Sequence, residues 1–153
     1  MIKFRAWNGY RKIMADYVSA IQNGDTQGTP SSVNVIVNRK NETWNIKNDD
    51  VELLQFTGLT DVNGKDIYEG DVLRLSYYEP KTYIYNDKDN LKPEIIAPKE
   101  VTRTAQVTKD AGTFVVSIYK VVFMTLRDVD KGRQNVEVIG NVHENPELLE
   151  ADK

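Results

Sequence analysis

Four carboxylates crowd one stretch of the sequence, at Asp61, Asp66, Glu69 and Asp71, and oxygen-rich clusters of this kind suit hard cations such as Ca²⁺ or Mg²⁺. The run Asp61-Val62-Asn63-Gly64 looks like the start of a calcium loop. With Asp61 at position one, however, the sixth position is Asp66, where an EF-hand has glycine. Strand alternation would also send part of the set to opposite faces. Asp71 is better read as a brace that holds a turn through backbone N–H groups. His143 is the single histidine and there is no cysteine. Multi-His and Cys-based zinc sites, iron–sulfur clusters, thiolate nucleophiles and disulfides are therefore excluded. A Ser-His-Asp triad would lack its G-x-S-x-G elbow, so His143 reads as structural. Neither phosphate-cradling glycine motif occurs. A glycosidase pair could be drawn by chance from 23 acids and has nothing to single it out. No catalytic, metal or cofactor-binding residue is assigned, and a non-enzymatic chain without a cofactor is expected.

A different chemistry is offered by Tyr77, Tyr78, Tyr83 and Tyr85, which lie close to Lys81, Lys88, Lys92 and Lys99. Aromatics interleaved with cations can stack bases and hold phosphates. Here Glu79, Asp87, Asp89, Glu94 and Glu100 cancel the charge. These four tyrosines are instead taken as candidate contacts with a partner protein or a second copy, on a hairpin that offers aromatic surface and strand edges. An exposed hairpin with cross-strand aromatic pairs is the plainer alternative, and nucleic acid ranks third. The charge balance agrees. The net charge is −3, split as +2, −4 and −1 over residues 1–50, 51–100 and 101–153, so no segment is the basic block that phosphate binding draws on.

The elements that would carry these residues are mostly strands. Ile2, Phe4 and Ala6 alternate with Lys3, Arg5 and Trp7, and Asn8-Gly9 follows as a hairpin-turn dipeptide tolerant of positive φ. Ile13 to Val18 would be the returning strand. Residues 22–32 are turn and loop types. Residues 33–38 read as a strand, with Trp44 and Ile46 as its partner across a turn at Asn38–Asn41. Residues 49–56 lean to an extended segment. Asp66–Tyr68 is a short strand between tight turns, followed by Val72–Tyr78. Thr82–Tyr85 and Leu91–Ile96 could pair as a hairpin, the alternative being a loop. Further strands fall at 101–108, 113–126 and 134–143, with a hairpin turn at 109–112. Asn145-Pro146-Glu147 then looks like an N-cap, a first-turn proline and an acid opening a short helix. Trp7 and Trp44 are read as core or core-edge residues, the alternative being a Trp7 exposed beside the Asn8-Gly9 turn for binding. At 153 residues the chain suits one domain that can bury roughly 70% of its unfolded surface without a staple. It shows no signal-peptide run and nothing approaching the ~20 apolar residues of a membrane span, so a soluble, cytoplasmic protein is expected.

Three segments together are similar to the YopX-type family of phage and prophage proteins. They are Phe4–Trp7 (FRAW), Gln55–Leu73 (QFTGLTDVNGKDIYEGDVL) and Glu137–Leu149 (EVIGNVHENPELL). They stand in the family's order and span nearly the whole chain. Two departures stand out: Asn8 follows the tryptophan where the family often has an acid, and residues 76–100 carry no family pattern. The resemblance implies a mainly-β protein with an SH3-like small-barrel core, to which the residue pattern adds an N-terminal β-hairpin region and a short C-terminal helical turn. It also implies a phage or prophage origin and work in the cytoplasm of a bacterial host. The chain is expected as one domain over 1–153, with an N-terminal β region at 1–50 and a barrel-like core at 51–149 that carries a variable hairpin or loop at 79–100. The resemblance brings no activity and no site residue. The function expected is therefore that of a non-enzymatic protein-binding or self-assembling module, whose partner is another copy or a host or phage protein. A nucleic-acid-associated accessory factor is the alternative, and no membrane partner is expected.

Overall fold

The computed structural model describes residues 3–24, 30–78, 82–84, 94–96, 100–118, 121–127 and 135–150. The N-terminal strands are β1 (Phe4–Asn8), β2 (Ile13–Ala15), β3 (Tyr17–Asn23), β4 (Pro30–Val37) and β5 (Lys40–Asn45). The middle of the chain forms β6 (Val51–Thr60), β7 (Asp66–Tyr68), β8 (Asp71–Tyr78), β9 (Thr82–Ile84) and β10 (Glu94–Ile96). After these come β11 (Glu100–Asp110), β12 (Thr113–Ile118), β13 (Val121–Thr125), β14 (Asn135–Asn141) and a four-residue helix α1 (Glu147–Glu150). The described strands form antiparallel sheets of order β2-β1-β6-β7, β3-β4-β5, β13-β12-β11-β8-β14 and β10-β9. The protein is mainly β, its curled sheets form a half-barrel, and it ends in one short helix.

Two hydrophobic cores result. One gathers Leu73, Leu75, Ala105, Val107, Val116 and their neighbours inside the curled five-stranded sheet. The other gathers Ala6, Ala15, Val33, Val35 and Trp44 between the first hairpin and the β3–β5 meander. β6 serves both, because Val51 and Leu53 pack on the N-terminal cluster while Leu59 packs on the barrel cluster. Trp44 is buried with its indole N–H donated to Glu42 at 3.2 Å, and Trp7 is buried as well. Both occupy the core positions expected of them.

Most strand expectations hold, and the exceptions are specific. Ile13–Val18 is not one strand. The chain bends at Asp16, so Ala15 pairs within the first sheet and Tyr17 opens another. The stretch 113–126 is two strands, β12 and β13, which pair with each other across a bulge. The loop expected at 22–32 shrinks, since β3 reaches Asn23 and β4 starts at Pro30, a tolerated place for proline at a strand's first residue. Ser31 and Ser32, turn formers by type, instead donate their hydroxyls to the main-chain and side-chain oxygens of Gln22. The Asn8-Gly9 hairpin forms, but not through positive φ at those residues. The left-handed residue of that turn is Lys12 (φ 59°). Gly9 is required for another reason: a Cβ there would lie 2.6 Å from Asp50 Oδ2 and 2.8 Å from Asp50 O. At the helix, the Asn145 side chain does not cap. Its oxygen accepts the Asn141 N–H at 3.3 Å, and its main-chain carbonyl accepts the Leu148 N–H at 3.1 Å.

Ala111 and Gly112 both have positive φ (50° and 81°) in the two-residue turn that joins β11 to β12. A Cβ costs about 1–2 kcal/mol in that region, against roughly 0.5–1 kcal/mol of extra chain entropy for glycine. Ala111→Gly should therefore raise stability by about 0.5–1 kcal/mol, read as a higher midpoint in urea unfolding.

Candidate functional site

β1 is flanked by β2 on one edge and β6 on the other, and four of its five residues are buried. Its two faces meet different parts of the molecule. Ala6 points with Leu53 and Ala15 into the N-terminal core, while Arg5 and Trp7 meet the later part of the chain. The Arg5 Nη2 donates to Asp71 Oδ1 at 2.5 Å, and Asp71 Oδ2 accepts the Tyr68 N–H at 2.8 Å. The guanidinium also lies over the Tyr68 ring, 4.4 Å from its centroid. Both partners are nearly sealed from water, and the Arg5 Nε is buried without a partner. Burial raises the Asp71 carboxyl above its ordinary value, against the opposing pull of Arg5 and the Tyr68 N–H. A low-dielectric pair of this kind tolerates the loss of neither member.

The other clustered acids are engaged in the same structural way. Asp61 Oδ1 accepts the N–H groups of Asn63 and Lys65 at 2.9 Å each, closing the turn in which Gly64 supplies the positive φ. Asp61 Oδ2 accepts the Val138 N–H at 3.0 Å and so ties that turn to β14. Burial by itself raises the Asp61 carboxyl, but these three N–H donors together outweigh it and hold the group below the usual carboxylate range. Asp66 takes Lys3 Nζ at 2.6 Å. Asp71 is the turn brace read from the sequence, with a buried cation added. Among the described residues no three His, Asp or Glu side chains converge as a metal site.

His143 also finds its place through β1. Its ring stacks on Trp7, centroids 5.2 Å apart and planes 15° from parallel. Its Nε2 lies 3.1 Å from Glu52 Oε2, close enough for an ion pair when the imidazole is protonated, though without hydrogen-bond alignment. Asn141 Oδ1 accepts the N–H groups of His143 and Glu144, which fixes the turn that presents the ring. Arg5 was not singled out in the sequence. The signal was Trp7, two residues on: a tryptophan on the nominally polar face of β1 means that this face is buried too.

A cavity of about 820 Å³ opens beside this junction, walled by Lys3, Arg5, Tyr17, Tyr68 and the bulged end of β14. Its wall mixes both signs, with Lys3, Arg5 and Lys65 against Asp16, Asp66, Asp71 and Glu144. The candidate contact tyrosines lie elsewhere. Tyr77 and Tyr78 end β8 opposite Val101 and Glu100, and Tyr83 sits in β9 opposite Ile95. Tyr85, like the side chains of the other three, lies outside the described residues. Among the described residues, no helix is long and apolar enough to cross a membrane.

The profile of the family described as YopX protein matches residues 3–150. Among solved structures, protein EF1440 from Enterococcus faecalis superposes with a TM-score of 0.59 at 27% identity, over 97% of this chain and 98% of that one. Protein yopX from Bacillus subtilis superposes with a TM-score of 0.56 at 20% identity, over 96% of this chain and 97% of that one. No curated protein matches the sequence.

Asp71→Asn should leave a buried, uncompensated guanidinium and cost about 3–5 kcal/mol, or roughly 6–20 °C in Tm. The double change Arg5→Met with Asp71→Leu should recover most of that loss, a coupling that a double-mutant cycle reads directly. Asp61 gives a pH signature. A depressed folded-state pKa stabilises the fold above the unfolded value of about 3.9, and this is lost as pH falls through the folded value. Asp61→Asn should cost about 2–3 kcal/mol at pH 7, with the difference from the unaltered protein shrinking below about pH 4. Urea midpoints measured from pH 7 to pH 2 check this.

Proposed function

The chain belongs to the YopX protein family, and we propose that it works as a non-enzymatic binding module: a phage or prophage accessory protein of the bacterial cytoplasm that holds a protein partner through the arm between β8 and β11. One observation carries the reading. β9 and β10 pair only with each other among the described residues, and a two-stranded sheet alone in water is marginal. Such a sheet is stabilised by what packs against it, and its open edges are ready to extend a partner's sheet. The arm is also detached in register. β8 and β11 already pair at Tyr78–Glu100, so the barrel sheet is complete without the residues between them. The acids that suggested catalysis or metal binding support the same reading, because Asp61, Asp66 and Asp71 hold turns and strands together.

Replacing residues 79–99 with a two-residue Asn-Gly turn should leave a folded core, because Tyr78 and Glu100 are already opposite each other. Proteins cross-linked to the full chain in a bacterial host should be lost with the shortened chain, and lost in part with Tyr83→Ala plus Tyr85→Ala in the full chain. A shortened chain that unfolds, or that keeps the same cross-linked proteins, overturns the reading. So does a complex with nucleic acid whose affinity falls steeply with salt.

A further inference from the structure

Asn-Gly pairs stand in the sequence at Asn8-Gly9, Asn23-Gly24 and Asn63-Gly64, and such a pair has a chemistry of its own. The glycine main-chain nitrogen has no side chain beside it to hinder approach, so it can attack the asparagine side-chain carbonyl. Asparagine counts among the thermolabile residues. Reaction requires that the nitrogen and the side chain be free to meet. At Asn8 they are not. Asn8 is fully buried, its Oδ1 accepts the Arg11 N–H at 2.8 Å, and the Gly9 N–H is donated to Asp50 O at 3.0 Å. Asn63 is exposed, but its N–H is donated to Asp61 Oδ1 at 2.9 Å and the Gly64 N–H to Asp61 O at 3.0 Å. Asn23 differs from both. It is exposed at the last position of β3, and opposite it stands Pro30, which has no N–H to donate. Gly24 is exposed too and lies past the end of the strand. Among the described residues no hydrogen bond holds the Asn23 side chain or the Gly24 N–H.

We propose that Asn23 is a site of spontaneous modification, at which the folded protein converts itself to an aspartyl or isoaspartyl form. The Gly24 amide nitrogen gives its proton to hydroxide and bonds to Asn23 Cγ. The bond between Cγ and Nδ2 breaks, and Nδ2 leaves as ammonia with a proton taken from water. A cyclic imide remains. Water opens it at either carbonyl, giving aspartate at position 23 or the isomer whose main chain runs through Cγ. Water is the co-reactant. The fold selects this pair, because at Asn8 and Asn63 hydrogen bonds have to open before the atoms can meet. The fold also tolerates the product. β3 already shifts register between Gln22 and Asn23, and an extra main-chain atom at such a bulge falls outside the regular ladder. At Asn63 the same product would break the turn that Asp61 closes. The conversion adds one negative charge to the formal −3. It does not involve the arm and is independent of the function proposed for it.

The full chain, kept folded in mildly alkaline buffer, should accumulate a more acidic species on ion exchange while its urea midpoint stays unchanged. Trypsin separates the pairs, since cleavage after Lys and Arg leaves Asn8 on residues 6–11, Asn23 on 13–39 and Asn63 on 48–65. The 13–39 peptide should gain the mass of a deamidation about tenfold faster than either of the others. In concentrated urea, where no fold restrains them, the rates should converge. Asn23→Gln should abolish the gain in 13–39 and Gly24→Ala should slow it, both at exposed positions where the fold is little affected. No gain in the 13–39 peptide of the folded chain overturns the proposal. A gain that survives Asn23→Gln, and so belongs to Asn34 or Asn38, also overturns it, as does an Asn8 or Asn63 that reacts as fast in the folded chain. The same order of rates in urea as in the folded chain overturns it as well, because the neighbouring sequence rather than the fold would then set the order.

Discussion

The buried pair of Arg5 and Asp71 is the constraint from which the architecture is best understood. Sixty-six residues separate the two in sequence, and neither can be left alone in the interior. Their joining fixes where β1 lies against the turn between β7 and β8. The Tyr68 N–H then gains its acceptor, and the guanidinium gains an aromatic face. On the same face of β1, Trp7 receives the His143 ring. Three separate stretches of the chain, around residues 4–7, 68–71 and 141–144, are thereby held at one strand. These are the same stretches in which the likeness to YopX-type proteins is written, so the family's pattern describes a structural junction.

That junction also accounts for why the acids look like a site in the sequence and do not act as one in the fold. Oxygens that might have converged on a cation are divided among separate tasks. Asp61 collects main-chain donors from its own turn and from β14, Asp66 meets Lys3, and Asp71 meets Arg5. The opposite displacements of the Asp61 and Asp71 carboxyls follow from this division. One is surrounded by N–H dipoles that favour its charge, while the other is withdrawn from water more completely than its partner compensates.

Much of the strand pattern was legible because alternation and turn chemistry are local. Asp66–Tyr68 between its turns, the β4–β5 hairpin at Asn38 and Arg39, and the brace role of Asp71 all depend on neighbours within a few residues. What was not legible depends on distant partners. The bend at Asp16 separates two sheets whose identity is decided elsewhere. The Asn145 side chain had a local task by type but took the Asn141 N–H instead. Burial of Arg5 is the clearest case, since alternation places it outward and only Asp71 gives it a reason to be inside.

The two faces of β1 also impose an order on folding during synthesis. Its inner face can be covered early, since Ala15 and the β3–β5 meander are complete by Asn45. Its other face has no such local cover. Arg5 must wait until Asp71 has been made, and Trp7 until His143 has. A nascent chain on the ribosome therefore carries an arginine without its partner until residue 71 is made, and a tryptophan without its partner until residue 143 is made. Until those partners emerge, that face of the strand is the region most in need of a chaperone.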